Sequence, residues 1–479
     1  MKRNGRKENR MKKRRILAIM MSVIMGIGML AGCGKKEAEG GLEKTEENSE
    51  KKEGNSKKTD GEKKQITMWF WGAATDYQET MKNVLYSWYN DSQDEYELVL
   101  EFRNTVDTDI PVALAAGNGP DIVYASGPSY TSKYVEEDLV LNLDDYAEQY
   151  GWKDRVLSVM YDSLTLDGSL YSIPGGMCVG GLYYNKELFK KQGWEPPVTW
   201  DEMMDLLDKA ADLGIYPLGA GNKGWKPCND HFSSMIINHY AGADLIYRVL
   251  EGEDSFDNPA MAEAVDITKE WYDKGYLSGE DYVNLDSQEV IQLLADERCA
   301  MVMAPTLYTQ FVGQSFMGAD VDNVGFISMP SRNTEQAVYD VSINSNFSIN
   351  SKTEYAEECA KILDYMLTSD FAASMTKGWP GYWTTPIKEM SDYDGSDMSG
   401  LAKLSYESVQ AAIKQIDQGY FAYHPATFFP AATLTAFEDV DTVWQGVVTP
   451  EDFCRTVAAE LDAEIAGGKT CPLVEPKTD

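Results

Sequence analysis

Residues 66–125 read ITMWFWGAATDYQETMKNVLYSWYNDSQDEYELVLEFRNTVDTDIPVALAAGNGPDIVYA. Three short apolar runs stand out: Ile66-Thr67-Met68-Trp69-Phe70-Trp71, Glu97-Leu98-Val99-Leu100-Glu101-Phe102 and Pro120-Asp121-Ile122-Val123-Tyr124-Ala125. Between the first two, residues 76–90 place Met81, Leu85, Trp88 and Tyr89 at helical spacing, and residues 109–116 make a short helix ending at Gly117. Strands that alternate with helices predict an α/β fold with a mostly parallel sheet covered on both faces. Ligands of such sheets sit beyond the carboxyl ends of the strands, which directs attention to Trp71, Gly72, Ala73, Ser126 and Gly127.

The same reading extends downstream. A helix-rich stretch begins near Lys186. In Pro196-Pro197-Val198-Thr199-Trp200-Asp201-Glu202 a loop ends at Thr199, which caps a helix, with Glu202 completing the capping box. Ala300-Met301-Val302-Met303 and Val324-Gly325-Phe326-Ile327 read as strands. Residues 354–368 give a helix whose apolar face carries Ala356, Cys359, Ala360, Ile362, Leu363, Met366 and Leu367. The chain has 479 residues and shows no tandem repeat, a length that suits two or three ordinary domains or one large two-lobed α/β protein.

Composition narrows the function. The hydrophobic fraction of 43% is that of a globular protein. The net charge is −34, and the basic first 32 residues leave about −42 on the rest. Such a body repels phosphate backbones, so no nucleic-acid partner is expected. His231, His239 and His424 are the only histidines, and the seven cysteines have no zinc-ligand spacing; neither a metal site nor a cofactor is expected.

The amino-terminal segment has its own pattern. Nine Lys/Arg residues between Lys2 and Arg15 precede the apolar stretch 16–32, the layout of a signal peptide. Leu30-Ala31-Gly32-Cys33 resembles the lipobox of bacterial lipoproteins, in which the cysteine thiol accepts a diacylglycerol and further acyl chains (palmitate among them) complete a stable anchor. Residues 33–64 are the lipidated cysteine and a charged tether with almost no apolar residue. The expected location is the extracytoplasmic face of the cell membrane.

From about residue 65 to 468 the order of short motifs resembles the family 1 extracellular solute-binding proteins, the maltose-binding-like group. The motifs are Gly119-Pro120-Asp121-Ile122, Leu170-Tyr171-Ser172-Ile173-Pro174, Tyr183-Tyr184-Asn185-Lys186-Glu187-Leu188-Phe189, Pro197-Val198-Thr199-Trp200-Asp201-Glu202, Glu297-Arg298-Cys299-Ala300-Met301 and Val440-Asp441-Thr442-Val443-Trp444-Gln445-Gly446. The resemblance implies a two-lobed periplasmic-binding-protein fold of the class II type, with the ligand held between lobes. Carried onto this chain it implies crossings near Ser172–Cys178, Asn323–Met329 and Lys377–Pro386. One lobe would be 65–174 plus 328–378, the other 177–324 plus 386–468, and 469–479 a tail. It further implies a carbohydrate ligand, delivered to the permease of an ABC importer driven by a cytoplasmic ATPase.

A sugar site wants aromatic platforms and planar polar groups. Trp71 lies nearer the strand end than Trp69, and the family resemblance puts Tyr184 at a stacking position. The Gly-rich loop 219–226 presents Trp225, with Asn222 and His231 close by. Trp379 and Trp383 fall at the third crossing, where they either line the cleft or pack the hinge. Asp121, Asp340, Thr306 and Tyr308 complete the candidate ligand-binding set. No GxSxG, HExxH, Walker A or GxGxxG occurs, and no enzyme activity is expected. The same fold serving a polyamine or peptide, or a surface glycosidase, are the alternatives.

Overall fold

The computed structural model describes residues 63–390 and 393–477. The leader, Cys33 and the tether as far as residue 62 lie outside the described residues. The first strand, β1 (Lys64–Trp71), pairs in parallel with β2 (Tyr96–Arg103) along its whole length and with β3 (Ile122–Ala125) at Met68. Ile66, Met68 and Phe70 are buried, as the apolar run requires. The helices Thr75–Trp88 and Val106–Ala115 make the connections between these strands. A two-residue hairpin pair, β4 (Thr165–Leu166) and β5 (Ser169–Leu170), precedes the longest strand, β6 (Ile173–Asn185).

The remaining strands are β7 (Tyr216–Gly219), β8 (Cys299–Pro305), β9 (Val324–Ile327), β10 (Tyr339–Ile349) and β11 (Phe421–Tyr423). The sheet runs β2-β1-β3-β10-β6-β8-β7, with β11 beside β10 and β9 beside β6. It is mixed rather than mostly parallel. The outer pairs β1/β2, β1/β3 and β7/β8 are parallel, whereas β10 runs antiparallel to both β3 and β6, and β6 antiparallel to β8 and β9. The antiparallel pairings of this sheet all involve the two longest strands, β6 and β10, which lie outside the three-strand pattern of residues 66–125.

β6 serves two halves of the body. Ile173 to Val179 pair with β10, while Gly180 to Tyr184 pair with β8 on one side and Leu182 to Asn185 with β9 on the other. The first half holds β1, β2, β3 and β10, and the second holds β7, β8 and β9. Local signals act where the sequence places them. Thr199 caps Trp200–Asp212 in a reciprocal capping box with Glu202, and Ala356–Met366 buries Cys359, Ile362, Leu363 and Met366. The six described cysteines are free thiols.

The carboxyl-terminal residues are fastened rather than loose. Val474 N donates to Tyr423 Oη at 2.6 Å, Tyr423 Oη donates to Val474 O at 3.0 Å, and Lys477 N donates to Gly419 O at 2.8 Å. The helix Pro450–Ala466 is tied to Ala431–Phe437 through buried Glu464, which accepts from the Thr433 amide at 2.9 Å, the Thr433 hydroxyl at 2.8 Å and the Ala432 amide at 3.2 Å. Burial alone would raise the Glu464 carboxyl, but these donors outweigh it and hold the group below its ordinary value. A carboxylate depressed in the folded state contributes stability above its unfolded value, near about 4.3, and loses it as pH falls through the folded value. Urea midpoints should therefore drop on acidification from about pH 6 to about pH 3, and E464Q should be less stable at about pH 6 with a shallower acid decline.

Candidate functional site

At the carboxyl end of β1 the two tryptophans separate. Trp69 is buried beneath the Arg103 guanidinium, which lies 3.3 Å from its ring centroid. Trp71, half-buried, donates its indole N–H to Tyr382 Oη at 2.6 Å and packs 5.6 Å from Trp379. Trp379 is sandwiched between Tyr77 at 4.9 Å and Tyr382 at 4.6 Å, while Trp383 packs on Phe70 and Phe371 at 5.4 and 5.5 Å. Both Trp379 and Trp383 are 0% exposed. They fill the junction beneath β1, which is the hinge-packing alternative of the two that the sequence left open. Gly381 makes this possible: at φ 86° it turns the chain against β8, where a Cβ would lie 2.4 Å from the Thr306 carbonyl oxygen.

Other expected residues are likewise committed to the framework. Thr306 is buried and accepts from the Val179 amide at 3.2 Å; Tyr308 is buried with its hydroxyl 3.0 Å from Ser287. Asp121 accepts from the Thr67 amide and hydroxyl, both at 2.8 Å, and from the Thr353 hydroxyl at 2.6 Å, and so locks β1 to the start of β3. Asp340 is buried with its Oδ2 at 2.6 Å from His239 Nε2 and its Oδ1 bonded to the Asn238 amide group. Tyr184 lies at the wrong end of the sheet. β6 runs antiparallel to β8, so Tyr184 pairs with Met301 near the amino end of β8, while Gly180 pairs with Pro305 at its carboxyl end. The Tyr184 ring covers Gly325 and packs on Phe189 at 4.8 Å.

The loop after β7 behaves differently. Asn222 closes it: its Oδ1 accepts from the amides of Cys228 and Asn229, both at 3.1 Å, and its Nδ2 donates to Asn229 Oδ1 at 2.7 Å. Trp225, at the tip, is 49% exposed and rests edge-on against the His231 ring at 4.8 Å. Lys226 anchors the far side of the tip on Asp439 at 2.7 Å.

The loop leads into a π-helical turn, Cys228–Phe232, a geometry frequent at functional sites. The turn aims Asp230 and His231 at His424, which follows β11. Asp230 Oδ1 lies 3.0 Å from His231 Nδ1 and 2.9 Å from His424 Nε2, and the two ring nitrogens are 3.4 Å apart. Burial opposes the Asp230 charge, but the two imidazoles facing it hold its carboxyl well below the usual carboxylate range. Burial pushes the His231 imidazole down, toward its neutral form. Asp230 and His424 are 194 positions apart, and their spacing in the sequence carries no trace of the meeting.

Facing residues at the end of β3 add polar groups. Ser126 Oγ donates to Asp107 Oδ1 at 2.7 Å and lies 2.8 Å from Tyr124 Oη. Gly127 approaches Thr427, three residues beyond His424, closely enough that a Cβ would stand 3.8 Å from the Thr427 carbonyl oxygen. Trp71 and Asp107 on one half and Trp225, Asp230 and His424 on the other therefore sit at strand ends of adjoining halves, and Tyr77 Oη reaches Gln310 O at 3.3 Å across the boundary. A separate depression of about 970 Å³, between the helices Ser369–Gly378 and Gly400–Asp417, is lined by Arg155, Asp370, Lys377 and Lys414 and lies away from these strand ends.

The sequence pattern of the bacterial extracellular solute-binding proteins matches residues 60–402. The chain belongs to that family. This solute-binding protein is 26% identical over 271 residues to a putative binding protein of Brucella abortus, covering 55% of this chain and 62% of the other. It is 28% identical over 212 residues to a probable sugar-binding periplasmic protein of Rhizobium meliloti, covering 40% and 50%. The chain thus spans less than two thirds of the length of these curated relatives. A solved chitin oligosaccharide binding protein superposes with a TM-score of 0.70 at 20% identity, over 85% of this chain and 100% of that one, and shows the two-lobed fold. The family consists of binding proteins, not enzymes, and no described helix is long and apolar enough to cross a membrane.

The commitment of Asp121 to the framework has a measurable consequence. D121A should lose about 2–3 kcal/mol of stability in urea unfolding, because a carboxylate with three donors leaves them unpaired. Its solute affinity should stay within about twofold of wild type, which equilibrium titration would check.

Proposed function

We propose that this solute-binding protein captures a carbohydrate at the strand ends between its halves and hands it to the permease of an ABC importer. The observation that carries the reading is Trp225: a tryptophan 49% exposed on a loop that is otherwise hydrogen-bonded, packed against His231, whose Nδ1 lies 3.0 Å from the Asp230 carboxylate. A flat apolar ring next to a hydrogen-bond acceptor suits a sugar, whose faces are apolar and whose rim is hydroxyl. On the opposite half, half-buried Trp71 and the Ser126–Asp107 hydrogen bond lie near the ends of β1 and β3 and add an aromatic and a polar group. The Rhizobium relative, a probable sugar-binding periplasmic protein, and the similar chitin oligosaccharide binding protein support the same class.

The lobes in this reading are 65–174 plus 328–378 and 177–324 plus 386–468, with crossings near residues 172–178, 323–329 and 377–386. Solute that touches both lobes favours the closed arrangement, and the permease reads that arrangement. The diacylglyceryl group on Cys33 ties the protein to the outer leaflet, and the charged tether lets it reach its partner.

Calorimetric titration with a panel of mono- and oligosaccharides should give saturable binding for at least one of them. W225A should weaken that binding by at least about tenfold without loss of stability. Absence of saturable heat with every glycan would refute the carbohydrate reading, and heat with spermidine instead would assign a cationic solute to Asp107 and Asp230. For the anchor, wild type should partition with membranes on cell fractionation, and C33A should appear in the soluble fraction.

A further inference from the structure

Three donor atoms in this molecule turn toward one another instead of toward separate partners. Asp230 Oδ1, His231 Nδ1 and His424 Nε2 are mutually 2.9, 3.0 and 3.4 Å apart. As plain hydrogen bonding the arrangement is poor. Both imidazoles aim at the same carboxylate oxygen, and if each donates a proton to it, the two N–H groups are crowded together with their nitrogens 3.4 Å apart. His231 Nε2, on the other side of its ring, is buried and has no partner, so the ring's polar contacts are all on the converging side.

A cation resolves the conflict. Zinc bound at about 2.0–2.2 Å by nitrogen and oxygen places tetrahedral donors about 3.3–3.5 Å apart. One of the three separations already has that value, and the other two need to open by about 0.4 Å. The elements that carry the donors are set independently of any ligand. Asp230 and His231 are adjacent on the π-turn, and His424 is fixed at the end of β11 by its amide bond to Val341 O at 3.0 Å. His231 and His424 are buried, and the Asp230 side chain keeps 17% exposure.

We propose that Asp230 Oδ1, His231 Nδ1 and His424 Nε2 hold a divalent transition-metal cation of the zinc class, with its fourth position open toward Trp225 and an oxygen of the bound solute. Two imidazoles and a single carboxylate oxygen select zinc-like ions over magnesium or calcium, which take oxygen ligands. Three protein donors with an open fourth position describe an ion that meets a ligand rather than a structural one. The cation site stands on these distances; its role in capture rests on the strand-end site proposed above.

The test uses full-length protein stripped with a chelator and titrated with zinc chloride. Wild type should bind a single equivalent, and H424Q should bind at least about tenfold more weakly while its circular dichroism and melting temperature before zinc match wild type. Cobalt added to stripped wild type should give the visible absorption of a tetrahedral ion, a readout that needs no variant to fold. No saturable zinc binding by wild type, no visible cobalt bands, or zinc binding in H424Q as tight as in wild type would each overturn the site. A glycan titration with and without zinc separates the two readings. Zinc binding with no glycan binding in either state keeps the cation site and removes the carbohydrate. Glycan binding in a protein that takes up no zinc does the reverse. An affinity for glycan at least about tenfold higher with zinc than without supports both.

Discussion

Between Val179 and Gly180 the strand β6 exchanges one neighbour for another: before that point it is hydrogen-bonded to β10, and after it to β8 and β9. The pairing of β6 with β10 therefore holds the two halves to a single sheet, and the strand-end site inherits its geometry from that pairing. Gly175 shows how tightly the strands close. A Cβ there would stand 2.1 Å from the ring of Phe347 on β10, so the aromatic ring lies directly on the β6 backbone. Phe347 in turn meets Phe70 of β1 at 6.0 Å and Trp383 of the third crossing at 6.1 Å, which draws all three into one apolar block.

That block accounts for the division of labour among the aromatic residues. Rings that lie under the junction, Trp379, Trp383 and Phe70, are shielded on every side and contribute burial. Rings at its margin, Trp71 and Tyr77, keep a partly exposed edge next to the second half. Trp225 belongs to neither group, because its loop is closed by Asn222 from within and by Lys226 from outside and leaves the indole projecting. An exposed tryptophan on a rigid loop has little conformational freedom to lose when a ligand covers it.

The buried charges follow a similar logic. The chain is strongly acidic, yet the carboxylates it buries are placed where donors converge on them. Asp340 faces Asn238 and His239, so the helix Ser233–Ala241 is fastened to β10. Glu464 takes three donors from the Ala431–Phe437 segment. A lone buried carboxylate would be costly, and each of these is compensated locally. Asp230 differs in that its two partners are both histidines, whose nitrogens serve a cation as readily as a carboxylate.

The first three strands, the Thr199–Glu202 capping box and the helix over 356–366 were legible in the sequence, because each depends on period, caps and turn residues within a few positions of itself. The exposure of Trp225 was legible too, since a glycine-rich loop with one tryptophan has nowhere to hide it. Trp379 and Trp383 stay open in the sequence between lining the cleft and packing the hinge, because whether such rings face outward depends on what folds over them, and here Phe70, Tyr77 and Tyr382 do. Tyr184 fell at the wrong sheet end because strand direction is not written in a strand's own residues; only the antiparallel pairing with β8 sets it. The sequence by itself determined the α/β class, the family and the local caps, all of which are short-range patterns. The tertiary structure alone brought Asp230 and His424 to 2.9 Å, because a contact between residues 194 positions apart exists only when the intervening chain has closed its sheet.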